Sequence, residues 1–168
     1  MAPILDENTL EFISHGAEQT RRLGAHLGAL LRGGDVVCLE GELGAGKTCL
    51  AQGIGRGWGI SQTLISPSFV LIREYGRPGD SLRLCHIDLY RVSGPDEAVG
   101  LGLDDVLGAP DTVCVIEWPE RAREAVPHEH LWVRLTTIEP TRRALAFTAS
   151  GERHAEILRR FRHAAFGV

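Results

Sequence analysis

Lysine is nearly missing from this chain: Lys47 stands alone against 17 arginines. Long apolar runs are missing too. None approaches the ~20 residues that a bilayer-spanning helix needs, so no membrane association is expected. No two cysteines have C-x-x-C spacing. Cys38, Cys49, Cys85 and Cys114 lie in or beside apolar runs, which reads as reduced, buried thiols rather than a disulfide framework or a zinc site. The histidines include no i, i+4 pair, which removes a helical metal site, and no nucleophile–histidine–acid set can be argued from spacing. Asp6 and Glu7 stand where an export signal would be basic and then apolar. With the reduced thiols, this predicts a cytoplasmic protein.

Net charge is −4, which argues against a surface that coats nucleic acid, and DNA is not an expected partner. The charge is uneven. Arg142, Arg143, Arg153, Arg159, Arg160 and Arg162 face only Glu152 and Glu156 over residues 141–168. A solvated helix face accounts for that patch more simply than a docking surface does. The 43% hydrophobic and 24% charged fractions are those of an ordinary globular chain, and 168 residues suffice for one domain with a sizeable core.

The lone lysine sits in the most informative stretch. Gly41-Glu42-Leu43-Gly44-Ala45-Gly46-Lys47-Thr48 fits G-x-x-x-x-G-K-[ST] at every fixed position. Val36-Val37-Cys38-Leu39 before it is a continuous apolar run, as in a strand buried on both faces. Leu50, Ala51, Ile54 and Trp58 after it fall on one side of a helix, with Gly55, Gly57 and Gly59 expected to end it. Strand, glycine loop and helix is the context in which backbone amides of Gly44 to Thr48 wrap phosphates at a helix N-terminus. Lys47 offers a compact ammonium to β/γ-phosphate oxygens, where a guanidinium fork is too wide. The Thr48 hydroxyl is placed for Mg²⁺. Gly41, Gly44, Ala45, Gly46, Lys47, Thr48 and Cys49 are the expected nucleotide-contacting residues of this loop.

The remaining elements read in order. Residues 9–14 form a short strand, and Ala17–Leu31 a helix stopped at Gly33-Gly34. Phe69–Tyr75 and Leu82–Asp88 form a hairpin around Gly76–Ser81, and a helix starts at Ser93–Glu97. Thr112–Ile116 is a second fully buried strand ending in Glu117. Leu131–Ile138 pairs with Leu145–Ala149, and Glu152–Phe166 is an amphipathic helix with Ile157, Leu158, Phe161 and Ala165 inward. The order predicts an α/β fold: a single P-loop NTPase domain over residues 1–168. Its central sheet is expected to be mixed but mostly parallel and flanked by helices, with the β-hairpin between the phosphate loop and the second acidic strand.

Such a site needs an acid at a neighbouring strand end to hold the metal. Glu117 follows one buried strand and Asp88 ends the hairpin strand. Glu117 is expected to hold Mg²⁺ directly or through water, and Asp88 to orient the attacking water or a metal-bound water; on sequence alone the two are exchangeable. Lys47, Asp88 and Glu117 are thus the candidate catalytic residues, and Thr48, Glu117 and Asp88 the candidate metal ligands. Ser66-Pro67-Ser68-Phe69 lies where γ-phosphate-sensing segments fall. Its hydroxyls either touch phosphate or metal water, or Ser-Pro merely turns the chain. Arg91 fits an ion pair better than a transition-state role, and Trp118-Pro119 is either packing or an aromatic wall. Guanine reading in the commonest P-loop switches needs an [NT]-K-x-D segment, which a chain with its one lysine at Lys47 cannot have. ATP becomes the expected nucleotide by elimination.

Together GELGAGKT at 41–48, SPSFVL at 66–71, HIDLYRV at 86–92 and VIEWPE at 115–120 resemble the TsaE (YjeE) family of bacterial ATPases over nearly the whole chain. The resemblance implies a Mg²⁺-dependent ATPase, weak alone. In that family it is required for the threonylcarbamoyl modification of adenosine 37 (t6A) in tRNAs reading ANN codons. It implies TsaD and TsaB as partners in an ATP-favoured complex, with tRNA engaged indirectly. It implies Thr48 and Glu117 as Mg²⁺ ligands, Asp88 as important for turnover, and a pocket completed near Ala17–Thr20, Ser66 and Thr141–Arg142. Ser68 and Cys49 stand where the family often has threonine. Two competing readings remain on the sequence: a small-molecule or nucleotide kinase of the same fold, and a nucleotide-dependent adaptor.

Overall fold

The computed structural model describes residues 7–65 and 71–168. In chain order its elements are β1 (Thr9–Ser14), α1 (Ala17–Gly28), β2 (Val36–Glu40), α2 (Lys47–Trp58), β3 (Ile72–Gly76), β4 (Arg83–Asp88), α3 (Pro95–Gly100), α4 (Leu103–Val106), β5 (Thr112–Glu117), a 3-10 segment (Pro119–Ala125), β6 (His130–Glu139), β7 (Arg142–Ser150) and α5 (Glu152–Phe166). The seven strands form one sheet in the order β1-β7-β6-β2-β5-β4-β3. Among the described residues, β6, β2, β5 and β4 run parallel, while β1, β7 and β3 join antiparallel at the flanks. The mixed α/β sheet is as expected, but its parallel share is confined to the four central strands. Each flank is a hairpin or pairs with one, and hairpins are antiparallel by construction.

The two apolar runs lie side by side at the centre, where both faces are covered. Val37, Leu39, Val113 and Val115 face α1 and α2 and pack with Leu23, Leu27, Leu50 and Ile54. Val36, Cys38, Cys114 and Ile116 face the other way, with Ile87, Leu89, Ala98 and Leu103. This alternation buries Cys38, Cys85 and Cys114, while Cys49 is half-buried; all four are free thiols. Burial pushes the Cys38 thiol up. No helix among the described residues is long and apolar enough to cross a membrane.

The hairpin stands as β3 and β4. The expected start of its first strand, Phe69, lies outside the described residues, as do Ser66, Pro67 and Ser68. Helix α1 stops at Gly28, and Leu30 and Leu31 follow in tighter turns, their amides donating to the carbonyls of Leu27 and Gly28. Only Gly59 ends α2, in a left-handed cap at φ 115°. Gly55 and Gly57 lie inside the helix, because glycine there serves packing. A Cβ on Gly57 would sit 2.0 Å from the Ala25 carbonyl oxygen, one on Gly53 2.1 Å from that of Arg21, and one on Gly28 2.1 Å from that of Ile54. The α1 and α2 backbones touch.

Helix α5 is tied to the entry of β2 by polar contacts. Arg153 donates to both Asp35 carboxylate oxygens, at 3.0 and 2.8 Å, and to the Leu30 carbonyl at 2.9 Å. The buried His154 accepts the Val36 amide hydrogen at Nε2, 3.2 Å away, so the ring must be neutral there.

Two predictions follow from packing. Alanine gains about 1 kcal/mol over glycine inside a helix, yet overpacking typically costs about 1–3 kcal/mol. With backbone rather than a movable side chain in the way, Gly57→Ala should lose stability in urea unfolding. A gain would contradict the backbone contact. Burial also pushes the His154 imidazole below its ordinary value. The unfolded chain then takes up the proton first, so this contribution is complete above about pH 6.5 and is lost as pH falls below it. Melting temperature should fall from pH 7.5 to 5.5, and His154→Gln should flatten that slope.

Candidate active site

The carboxyl ends of β2, β5 and β4 open on one side of the sheet, where ligands of open parallel sheets bind. At the end of β2 the chain turns through Gly41–Gly46 into α2. Gly44 and Gly46 have φ of 80° and 103°, a left-handed region costly for residues with a Cβ. Gly46 is the N-cap of α2 and no side chain caps that end. The first amides of α2 are therefore available to an anion. A cleft of about 420 Å³ opens over them, lined by Leu43, Gly44, Gly46, Lys47, Thr48, Cys49, Leu71, Asp88, Tyr90, Arg91, Glu117 and Trp118.

Lys47 is 5% exposed. Its ammonium donates to the carbonyl oxygens of Gly41 and Glu42, the latter at 2.8 Å. It also lies 4.4 Å from the centroid of the Trp118 ring, a cation–π contact. Burial pushes its pKa below the usual lysine value, against the pull of Glu117, Glu120, Asp88 and Glu42. The charge is held by dipoles and a ring rather than by direct contact with a carboxylate, so an incoming anion meets a cation it need not strip from a salt bridge.

Asp88 and Glu117 are register partners on adjacent parallel strands, so both acids point toward α2 at one level. Glu117 Oε1 accepts from the Thr48 hydroxyl at 3.2 Å, and its Oε2 lies 2.6 Å from His86 Nε2. Asp88 accepts the Tyr90 amide hydrogen at 2.9 Å. The structure thus brings Lys47, Thr48, Asp88 and Glu117 to one cleft wall. Among the described residues no three His, Cys, Asp or Glu side chains form a metal cage. Two carboxylates and a hydroxyl suit Mg²⁺, which prefers few protein oxygens, retained waters and phosphate ligands.

Other expected residues fall elsewhere. Gly41 and Ala45 pack beneath the loop, on the groove shared with Glu120 and Arg134. Thr141 and Arg142 stand at the β6–β7 turn, outside the cleft lining, and Arg142 faces Glu139 at 3.6 Å. From that turn Arg143 reaches the loop instead, donating to the Gly44 carbonyl at 3.0 Å. Ala17–Thr20 form the first turn of α1, where the Thr20 hydroxyl meets that of Ser14 at 2.7 Å. Arg21, one residue on, reaches Gln52 at 3.2 Å and Cys49 Sγ at 3.6 Å. Ser66 lies outside the described residues.

His86 was not visible from motif spacing, and Trp118 was open on the sequence between packing and an aromatic wall. Trp118 has φ 59°, the only positive φ outside glycine among the described residues, and strain of that kind costs about 1–3 kcal/mol. It turns the indole onto Lys47 and to 4.9 Å from the Tyr90 ring. His86 is fully buried against Glu117. Strand alternation was the available signal for it, since residue 86 shares a face with Asp88.

Comparison with known proteins agrees with this fold. A family model described as Threonylcarbamoyl adenosine biosynthesis protein TsaE matches residues 14–145. The chain is 43% identical over 138 residues to the tRNA threonylcarbamoyladenosine biosynthesis protein TsaE of Streptomyces coelicolor, covering 82% of this chain and 88% of that one. It is 37% identical over 137 residues to the protein of the same description from Bacillus subtilis, covering 82% and 84%. The crystal structure of Bacillus subtilis YdiB superimposes with a TM-score of 0.77 at 31% identity, covering 91% of this chain and 93% of the other.

Proposed function

The chain belongs to the TsaE family, and from that premise we propose that it is a Mg²⁺-dependent ATPase serving t6A formation at adenosine 37 of tRNA, together with TsaD and TsaB. The observation that carries the reading is the wall of the cleft. A phosphate loop with an ammonium held on carbonyls faces two strand-end carboxylates and a hydroxyl.

In this reading the amides of Gly44–Thr48 receive phosphate oxygens, and Lys47 leaves the Gly41 and Glu42 carbonyls to meet β/γ-phosphate charge. Thr48 and Glu117 would hold Mg²⁺, which when bound neutralises charge between the phosphates. Asp88, at the same level as Glu117, orients a water toward the phosphoryl group. Arg143 braces the loop at Gly44 from the β6–β7 turn, and Arg21 braces the first turn of α2 at Cys49 from α1. The cleft is only partly enclosed, so a partner that covers it would exclude water and complete the geometry. That is the role assigned to the TsaD–TsaB pair, with tRNA engaged through them.

Lys47→Ala should lower ATP affinity about 10- to 100-fold, the scale of one charge-assisted hydrogen bond at about 1.5–3 kcal/mol. Glu117→Ala should retain metal-free nucleotide binding and lose Mg²⁺-dependent turnover; calorimetry with and without Mg²⁺ separates the two. Undiminished hydrolysis in Glu117→Ala would transfer the metal role to Asp88. ATP should compete better than GTP in displacement. Depletion of the protein in its host should remove t6A from tRNA nucleosides measured by mass spectrometry, with rescue by the wild-type chain and not by Lys47→Ala. Undiminished t6A after thorough depletion would overturn the biological assignment.

A further inference from the structure

On the α2-facing side of the central strands the side chains are apolar until the strand ends: Leu84 on β4, Val113 and Val115 on β5, Val37 and Leu39 on β2. His86 interrupts that surface two residues before Asp88. It is fully buried, and it does not line the cleft. Burying an imidazole costs free energy unless it is hydrogen-bonded, and His86 uses half its capacity. Its Nε2 lies 2.6 Å from Glu117 Oε2, while Nδ1 has no partner among the described residues. A leucine would satisfy the packing with no orphaned nitrogen. The imidazole is therefore explained by what it does to Glu117.

An ionised carboxylate only accepts hydrogen bonds, so the ring nitrogen facing Glu117 carries the hydrogen. That bond occupies Oε2 and leaves Oε1 to the Thr48 hydroxyl at 3.2 Å. A glutamate has three side-chain torsions and would otherwise sample several rotamers. Held at Oε2 from within the sheet, it presents Oε1 toward the start of α2. We propose that His86 is a positioning residue, whose Nε2–H fixes the Glu117 carboxylate so that Oε1 and the Thr48 hydroxyl form a ready-made pair of oxygen ligands for the divalent cation that accompanies the nucleotide. The inference rests on the Mg²⁺–nucleotide reading of the cleft. Ligating carboxylates are themselves held by hydrogen bonds, and losing such a partner typically costs 10–100-fold in metal affinity.

The test uses the full chain, ADP and MgCl₂, so that turnover is not the readout. Calorimetry in EDTA gives metal-free affinity, and a MgCl₂ titration gives the concentration that half-saturates the Mg²⁺ enhancement of binding. His86→Leu should keep EDTA affinity within about twofold and raise the Mg²⁺ half-saturation about 10- to 100-fold. His86→Gln carries an amide N–H toward the Nε2 position and should return most of that loss, whereas His86→Asn, too short to reach Glu117, should not. In a Glu117→Ala background His86→Leu should add nothing further, because the two changes act through one contact. An unchanged Mg²⁺ requirement in folded His86→Leu, equal defects in the Gln and Asn variants, or additivity with Glu117→Ala would each overturn the proposal. If His86→Leu fails to fold, the Gln–Asn comparison decides alone. A wild-type chain whose ADP binding ignores Mg²⁺ would overturn the underlying reading instead.

Discussion

The contact of two helix backbones governs where everything else in this molecule can stand. Helix α2 carries the loop lysine and Thr48 in its first turn, and its axis is set by α1 through glycines on both helices. Gly28 and Gly57 each leave a backbone carbonyl of the other helix where a Cβ would lie. Such proximity removes the side-chain layer that normally separates helices by 8–10 Å. It brings α1 near enough for Arg21 to touch Cys49 and Gln52. The start of α2 is thus located by main chain on one side and by the β2 core on the other. A phosphate loop gains from such rigidity, since its donors must already point inward when the anion arrives.

The acidic side of the cleft follows from sheet register. Parallel pairing places Asp88 opposite Glu117 and Leu39 opposite Glu117 on the next strand over. The carboxylates therefore emerge where the apolar rows stop, beside the loop that follows β2. Burial is tolerated because each has hydrogen-bonding partners: Thr48 and His86 for Glu117, the Tyr90 amide for Asp88. Beyond Glu117 the chain enters a left-handed residue that is not glycine, and the indole of Trp118 closes the wall over Lys47.

Much of this was legible in residue order. Continuous apolar runs marked β2 and β5, turn residues marked the β3–β4 hairpin, the alternation of Leu131, Val133 and Leu135 marked β6 and its pairing with β7, and the amphipathic stripe marked α5 with the bounds observed. The phosphate loop and the two strand-end acids declared themselves by motif and by position. What stayed hidden is tertiary. Gly55 and Gly57 read as helix-breakers because propensity scores a residue against solvent, and here they face a neighbouring helix and the Leu64 side chain. The β6–β7 turn was read as contributing Thr141 and Arg142, but side chains alternate along a strand, and it is Arg143 that points to the loop. His86 looked like one letter of a motif, since hydrogen bonds across strands have no sequence period.

The scarcity of lysine has a consequence in alkali. Guanidinium groups keep their charge throughout the accessible pH range, so the Arg153–Asp35, Arg77–Asp80 and Arg134–Glu40 pairs remain intact in base. Lys47 is the chain's one ε-ammonium, and burial has already lowered its hold on the proton. Base therefore discharges the Lys47 ammonium before any of these guanidinium pairs, so the cleft loses its lysine charge while the arginine-held scaffold keeps its own.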